Sequence, residues 1–167
     1  MIQIRYASVL DAAIIAQIHT SSWQAAYTGI VPDEILNSLD PVKRSQQLKI
    51  QINEFPESYG IVYKEEQPTG FICIGRSRDQ DGLENDGEIY AIYLHPKFYH
   101  QGFGTQLLQW GEKELRQKGF QRIFIWVLEN NVNARNFYQK NNYVFDGTIK
   151  EINIGNLLNE YRYFKEI

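Results

Sequence analysis

Residues 88 to 108 read EIYAIYLHPKFYHQGFGTQLL, and the order of signals within them decides the fold. A strand-like run stops at Pro96, and a glycine-punctuated turn of Gly102, Phe103, Gly104 and Thr105 opens directly into an amphipathic helix. Glycines at 102 and 104 let the backbone come close to a ligand, and the first amides of the helix lack an intrahelical acceptor. A turn of this kind holds an anion, with phosphate as the natural guest.

Outward from this turn the chain alternates elements without repeat, linker or low-complexity tract. Toward the N-terminus, Ile2 to Tyr6 alternates as a strand, and Ser8 with Asp11 forms a capping-box signature before the apolar spacing of Ile14, Ile15 and Ile18. Pro32 and Pro41 stand at first helical positions, the second after a capping Asp40, which predicts helices over 32–39 and 41–53. Tyr59 to Lys64 and Phe71 to Arg78 are expected as a hairpin turning through Pro68 and Gly70, then a loop over 79–87 and a third strand over Glu88 to Leu94. Helix 104–118 carries Leu107, Leu108, Gly111 and Leu115 on one face and ends at Gly119. Beyond it come an apolar strand Ile123 to Leu128, a helix Asn133 to Lys140, and strands Tyr143 to Ile149 and Leu158 to Phe164. The expected architecture is α/β (α+β): one domain over 1–167 with a mixed sheet of about six to seven strands flanked by helices.

The chain has 167 residues, a formal charge of −3 and a pI near 5.6. That length supports one continuous core. Lys and Arg are scattered singly, which opposes a nucleic-acid surface, so any anion site is local. The lone Cys73, inside FICIG, excludes an internal disulfide and reads as a buried, inert thiol in a reducing compartment. No apolar stretch has the length of a membrane span, and MIQIRYAS lacks the shape of a signal peptide; the expectation is a cytoplasmic protein with no membrane partner. His19 and His95 lack metal-ligand spacing, and no metal is expected.

A nucleoside-triphosphate loop would need Lys and then Ser or Thr after its last glycine, but Gly104 is followed by Thr105 and Gln106. A dinucleotide fingerprint would place a third glycine where Leu107 stands. Instead, P-K-F-Y-H-Q-G-F-G-T-Q-L-L from Pro96, followed by N-V-N-A-R-N-F-Y-Q-K-N-N-Y from Asn131, resembles the GCN5-related N-acetyltransferase (GNAT) superfamily. The second run matches N-x-x-A-x-x-F-Y-x-K-x-G followed by Phe or Tyr, except that Asn142 replaces the glycine. The segment H-T-S-S-W-Q-A-A-Y-T-G-I and the closing L-N-E-Y-R-Y-F-K extend the resemblance over nearly the whole chain. One departure lies ahead of the glycine pair, where Tyr99 and His100 replace the family's usual Gln or Arg and Gly.

The resemblance implies acetyl-CoA as co-substrate. Strands 88–94 and 123–128 would run parallel and splay apart, with pantetheine pairing along Ile92, Tyr93 and Leu94 and pyrophosphate on the amides of Gln101, Gly102, Phe103, Gly104 and Thr105. Tyr138 would give a proton to the departing thiolate, and Asn131 would contact the cofactor, cap a helix, or both. Glu88 would serve as the base through water, or stand as a solvated strand-edge carboxylate. Trp23 and Tyr27 would wall the acceptor site, suiting a cationic amine, or else pack as core aromatics.

The function implied is direct acetyl transfer to a primary amine of a small molecule. Two alternatives stay open, an enzyme acting on protein N-termini or lysines and a non-catalytic acyl-CoA-binding sensor. Edge strands such as 158–164 leave a homodimer as an expectation.

Overall fold

A computed structural model describes residues 1–167. In chain order the elements are β1 (Ile2–Tyr6), α1 (Ala12–Tyr27), α2 (Asp33–Asn37), α3 (Pro41–Glu54), β2 (Tyr59–Lys64), β3 (Gln67–Arg76), β4 (Asp86–Leu94), α4 (Phe103–Gln117), β5 (Arg122–Leu128), α5 (Val132–Lys140), β6 (Val144–Ile154) and β7 (Asn156–Glu166). Short 3-10 turns at Val9–Asp11 and Pro96–Phe98 lead into α1 and toward α4. All seven strands join one sheet in the order β1-β2-β3-β4-β5-β7-β6, with β4 and β5 parallel and every other pair antiparallel.

The sheet divides the core in two. On one face Leu107, Leu108 and Leu115 of α4 and Tyr138 of α5 pack against Ile72, Ile74, Ile89, Ile123, Ile125 and Val127. On the other, Ile15, Ala16 and Ile18 of α1 and Leu48 and Ile52 of α3 pack against Ile61, Phe71 and Cys73. The three leucines of α4 are fully buried, and each contributes about 2 kcal/mol. That outweighs the roughly 1 kcal/mol that Gly111 costs inside a helix. Gly111 is needed because a Cβ there would lie 2.5 Å from Ile72 Cδ1.

Helix starts follow the expected chemistry. Ser8 and Asp11 form the capping box, and the Asp40 carboxylate accepts from the amides of Val42 and Lys43 at the start of α3. Several boundaries differ from the sequence reading. Pro32 is the N-cap of the five-residue α2 rather than its first helical residue. The β2–β3 turn is Glu65–Glu66, with Glu65 at φ 58°, so Pro68 and Gly70 lie inside β3, and a register shift at Val62/Tyr63 accommodates Pro68 opposite Tyr63. The last two strands have 11 residues each and turn at Gly155. Strand 158–164 is not an edge, because β7 lies between β5 and β6; the free edges are β1 and β6. No helix is long and apolar enough to cross a membrane.

Candidate active site

β4 and β5 pair over three positions only, Asp86 with Arg122, Gly87 with Ile123 and Glu88 with Phe124. Past that point β4 stays on β3 and β5 stays on β7, so a gap opens between them. A bulge bends β4 where the gap begins. Cys73 faces Ala91 while Ile74 faces Ile89, which leaves Tyr90 as an extra residue. The bulge also resets which side chains share a face. Ile89, Ile92 and Leu94 join the core under α4, while Tyr90, Ala91 and Tyr93 turn toward α1. Along Ile92, Tyr93 and Leu94 the backbone edge toward β5 is left without a strand partner.

The mouth of the gap meets the glycine turn. No backbone acceptor inside the chain reaches the amides of Gln101 through Thr105, and Gly102, the N-cap of α4, has φ 85°. His100 is also left-handed, at φ 60°, so it takes the backbone conformation that the family's glycine would supply, and Asn142 does the same at φ 68°. The conformational demand falls on Gly102 and His100 rather than on Gly104. A Cβ on Gly104 would reach the Phe137 ring at 3.4 Å and Leu94 at 3.6 Å, pointing across the mouth of the gap. Unpaired amides at the start of a 15-residue helix suit a pyrophosphate.

Tyr138 is 7% exposed and packs against Phe137 and Tyr143. No hydrogen bond within the chain occupies its hydroxyl. Burial, with Tyr93 nearby, pushes its pKa well above the ordinary tyrosine value, so it stays a protonated donor. Asn131 caps α5, its Oδ1 accepting from the Ala134 amide at 3.2 Å. His95 has a local task too, its Nδ1 accepting from the Lys97 amide.

Facing the gap from α1, His19, Trp23 and Tyr27 follow one another at helical spacing. Ring centroids lie 5.2 Å apart for His19 and Trp23 and 4.9 Å apart for Trp23 and Tyr27. The Tyr27 and Tyr93 hydroxyls are 3.3 Å apart, and His19 meets the Tyr93 ring edge-on at 5.6 Å. Burial, then the Arg44 charge, brings the His19 pKa down to about 4, so the imidazole is neutral at physiological pH. Trp23 Nε1 is buried without a well-formed hydrogen bond, although it lies close enough to Tyr93 to act on its hydroxyl. These groups form a half-buried, largely aromatic wall opposite the open part of β4.

Glu88 is 1% exposed, so it is not a solvated edge carboxylate. It ends the paired part of β4, and its oxygens accept from Arg78 Nη2 at 2.5 Å, Arg78 Nε at 3.2 Å and the Arg78 amide at 2.9 Å. Cys73 is buried, and burial raises its pKa to about 11, which leaves it a poor nucleophile. The structure contains no group of His, Cys, Asp and Glu arranged to hold a metal ion.

The Ile92–Leu94 edge and the Gln101–Thr105 turn meet at one gap, Tyr138 lies near Tyr93, Tyr27 meets Tyr93 from α1 beside Trp23, and Asn131 sits at the cap of α5. The Tyr93 side chain and His19 belong to the same wall, and the Arg44 charge acts on it, although the sequence alone did not join them to it. The spacing of 19, 23 and 27 on one helix face was the signal available.

A splayed parallel strand pair leading to an unpaired helix N-terminus defines an acyl-CoA-type transferase. The Acetyltransferase (GNAT) family model matches residues 16–143, and the chain belongs to that family, whose enzymes take acetyl from acetyl-CoA. An uncharacterized N-acetyltransferase, YuaI of Bacillus subtilis, is 34% identical over 93% of this chain and 92% of its own. A spermidine N(1)-acetyltransferase of Thermoplasma acidophilum is 26% identical over 88% of this chain and 91% of its own. Among solved structures, the PaiA N-acetyltransferase of T. acidophilum in complex with coenzyme A superposes with a TM-score of 0.80 at 23% identity, covering 100% of this chain and 99% of that one. The yncA acetyltransferase of Salmonella typhimurium, solved with acetyl-CoA, gives 0.76 at 18% identity over 99% and 93%.

Proposed function

We propose that residues 1–167 act as one domain that transfers acetyl from acetyl-CoA directly to a primary amine of a small molecule. The observation that carries this reading is the gap itself. It leaves β4 backbone open for a pantetheine arm, ends on free amides suited to pyrophosphate, and is flanked by a phenol with no other partner. Asn131 would add a contact to the cofactor through its free amide nitrogen.

In the reaction the amine nitrogen attacks the thioester carbonyl, the C–S bond breaks, and the departing thiolate is protonated through the Tyr138 hydroxyl, which recovers a proton from water as the nitrogen releases its own. The nitrogen's extra proton leaves through water, with Glu88 as the carboxylate that would receive it. Because Arg78 already holds Glu88, that transfer needs a bridging water. Trp23 and Tyr27 would position the acceptor, and the spermidine-acetylating relative supports a small amine. Work in the cytoplasm agrees with the free thiol of Cys73. The free β6 edge leaves a homodimer as part of the proposal.

The test is free-thiol release from acetyl-CoA across polyamines, amino acids, aminoglycosides and peptides, beside calorimetric titration of acetyl-CoA. Amine-dependent release establishes the transferase. Binding without release from any amine would favour a sensor, and release confined to peptides would favour a protein-modifying enzyme.

A further inference from the structure

Arg44 sits on α3 one turn before Leu48 and two turns before Gln51 and Ile52. Leu48 and Ile52 are fully buried and Gln51 Oε1 accepts from the Tyr59 hydroxyl at 2.8 Å, so this stripe of α3 faces α1 and the sheet. Arg44 shares the stripe. Its guanidinium forms no ion pair or hydrogen bond inside the chain, and its Nε is buried without a partner. Its charge is felt by His19 and Tyr93 of the aromatic wall and by Tyr59 and Cys73 behind them.

Three cations borne by the sheet and its loops are matched. Arg78 is held by Glu88, Arg162 by Asp79, Asp81 and Asp146, and Lys150 by Glu160. A buried Nε–H with no acceptor costs free energy that folding alone does not return, while the half-buried guanidinium keeps its outer nitrogens open to a guest. A planar fork of donors in that setting fits one kind of guest, a carboxylate taken bidentately.

We propose that Arg44 determines acceptor specificity by binding a carboxylate on the non-reacting part of the amine, so that the enzyme acetylates amino-acid-like amines in preference to polyamines. This rests on the acetyltransferase reading above and narrows it. The carboxylate could belong to a free amino acid or to the C-terminus of a dipeptide. His19, Trp23 and Tyr27 then flank the carbon skeleton between Arg44 and the reacting nitrogen near Tyr93 and Tyr138.

The experiment compares matched amines in the thiol-release assay: lysine with cadaverine, ornithine with putrescine, and an amino acid with its amide and its dipeptide, together with spermidine. The carboxylate member of each pair should have a kcat/KM about ten- to hundredfold higher, carried mainly by KM. Arg44→Met should shrink that ratio toward one, and Arg44→Lys should keep part of it. Acetyl-CoA affinity of both variants, measured by calorimetry, should match the wild type and so exclude a folding defect. Preference for the decarboxylated partner or for spermidine overturns the proposal, as does a ratio unchanged in Arg44→Met. If no amine is acetylated, calorimetric titration of the amino acids onto CoA-saturated protein decides. Carboxylate-dependent binding lost in Arg44→Met supports Arg44, and absence of such binding rejects it. Failure of acetyl-CoA itself to bind would strike the transferase reading instead, and the same titration on the free protein would still judge Arg44.

Discussion

At the closed end of the β4–β5 pair, Asp86 is held by Arg122 through two hydrogen bonds at 3.0 and 2.8 Å, and Glu88 is held by Arg78. Around the open end, on the helices that cover it, Trp23 Nε1 and Arg44 Nε are buried without a partner, and no hydrogen bond within the chain occupies the Tyr138 hydroxyl. The strand pair thus has a satisfied polar junction at one end and helix-borne donors without partners around the other. The difference separates groups that hold the fold from groups kept free for a ligand, since unpaired buried polar atoms persist in native proteins only where something else repays them.

Breaking the closed end should cost stability before it costs chemistry. Arg122→Met leaves the Asp86 carboxylate, 1% exposed, without its cation, and the expected loss is about 3 kcal/mol in a denaturant unfolding curve. A loss under about 1 kcal/mol would show that the junction is held by the strands alone. At the open end the sign reverses. Tyr138→Phe removes a hydroxyl that bonds nothing in the chain, so unfolding and acetyl-CoA affinity should stay near wild type while kcat falls about ten- to thousandfold. Unchanged turnover would remove Tyr138 from the mechanism.

The open end should also be the more sensitive to acid. His19 titrates near 6.5 when unfolded and near 4 when folded, so between these values only the unfolded chain binds the proton. Its contribution to stability is complete above about pH 6.5 and declines as pH falls toward 4, by about 1–2 kcal/mol between pH 7 and pH 5. Comparing the unfolding of His19→Gln with wild type at both pH values isolates this slope; identical slopes would mean that the imidazole is solvated. The smallest effect belongs to the glycine turn. His100→Gly releases a left-handed non-glycine residue and should stabilise the protein by about 0.5–1 kcal/mol, with cofactor affinity retained. Destabilisation would show that the imidazole makes a contact worth more than the strain.

What could be read in advance was local. The leucine stripe of α4, the Asp40 cap, and the glycine turn are signals contained within a few residues, and each fell where its chemistry demanded. The paired motifs around Gly102–Gly104 and Asn131–Tyr143 gave the family. The hairpin turn escaped because Glu65–Glu66 carries no turn chemistry, while Pro68 and Gly70 do and yet lie in a strand. The order of the last two strands escaped because nothing in β6 or β7 states which of them meets β5. Plain alternation along β4 would put Tyr93 on the same face as Ile89, and only the bulge at Tyr90 separates them. The effect of the Arg44 charge on His19 joins two packed helices and has no local signature.

The bulge at Tyr90 has a genetic side. Cys73 and Ile74 are adjacent in β3, yet their partners in β4 are two positions apart, so the bend where β4 leaves β5 depends on a single codon. Deleting that codon would restore plain alternation, with Ile92 still beside Ile89 and Tyr93 still toward α1, remove the bend, and let the two parallel strands continue side by side. A complete sheet and a cofactor cleft are therefore neighbouring genotypes, and a screen of one-residue deletions along β4 would find the boundary between a scaffold and an enzyme at this position.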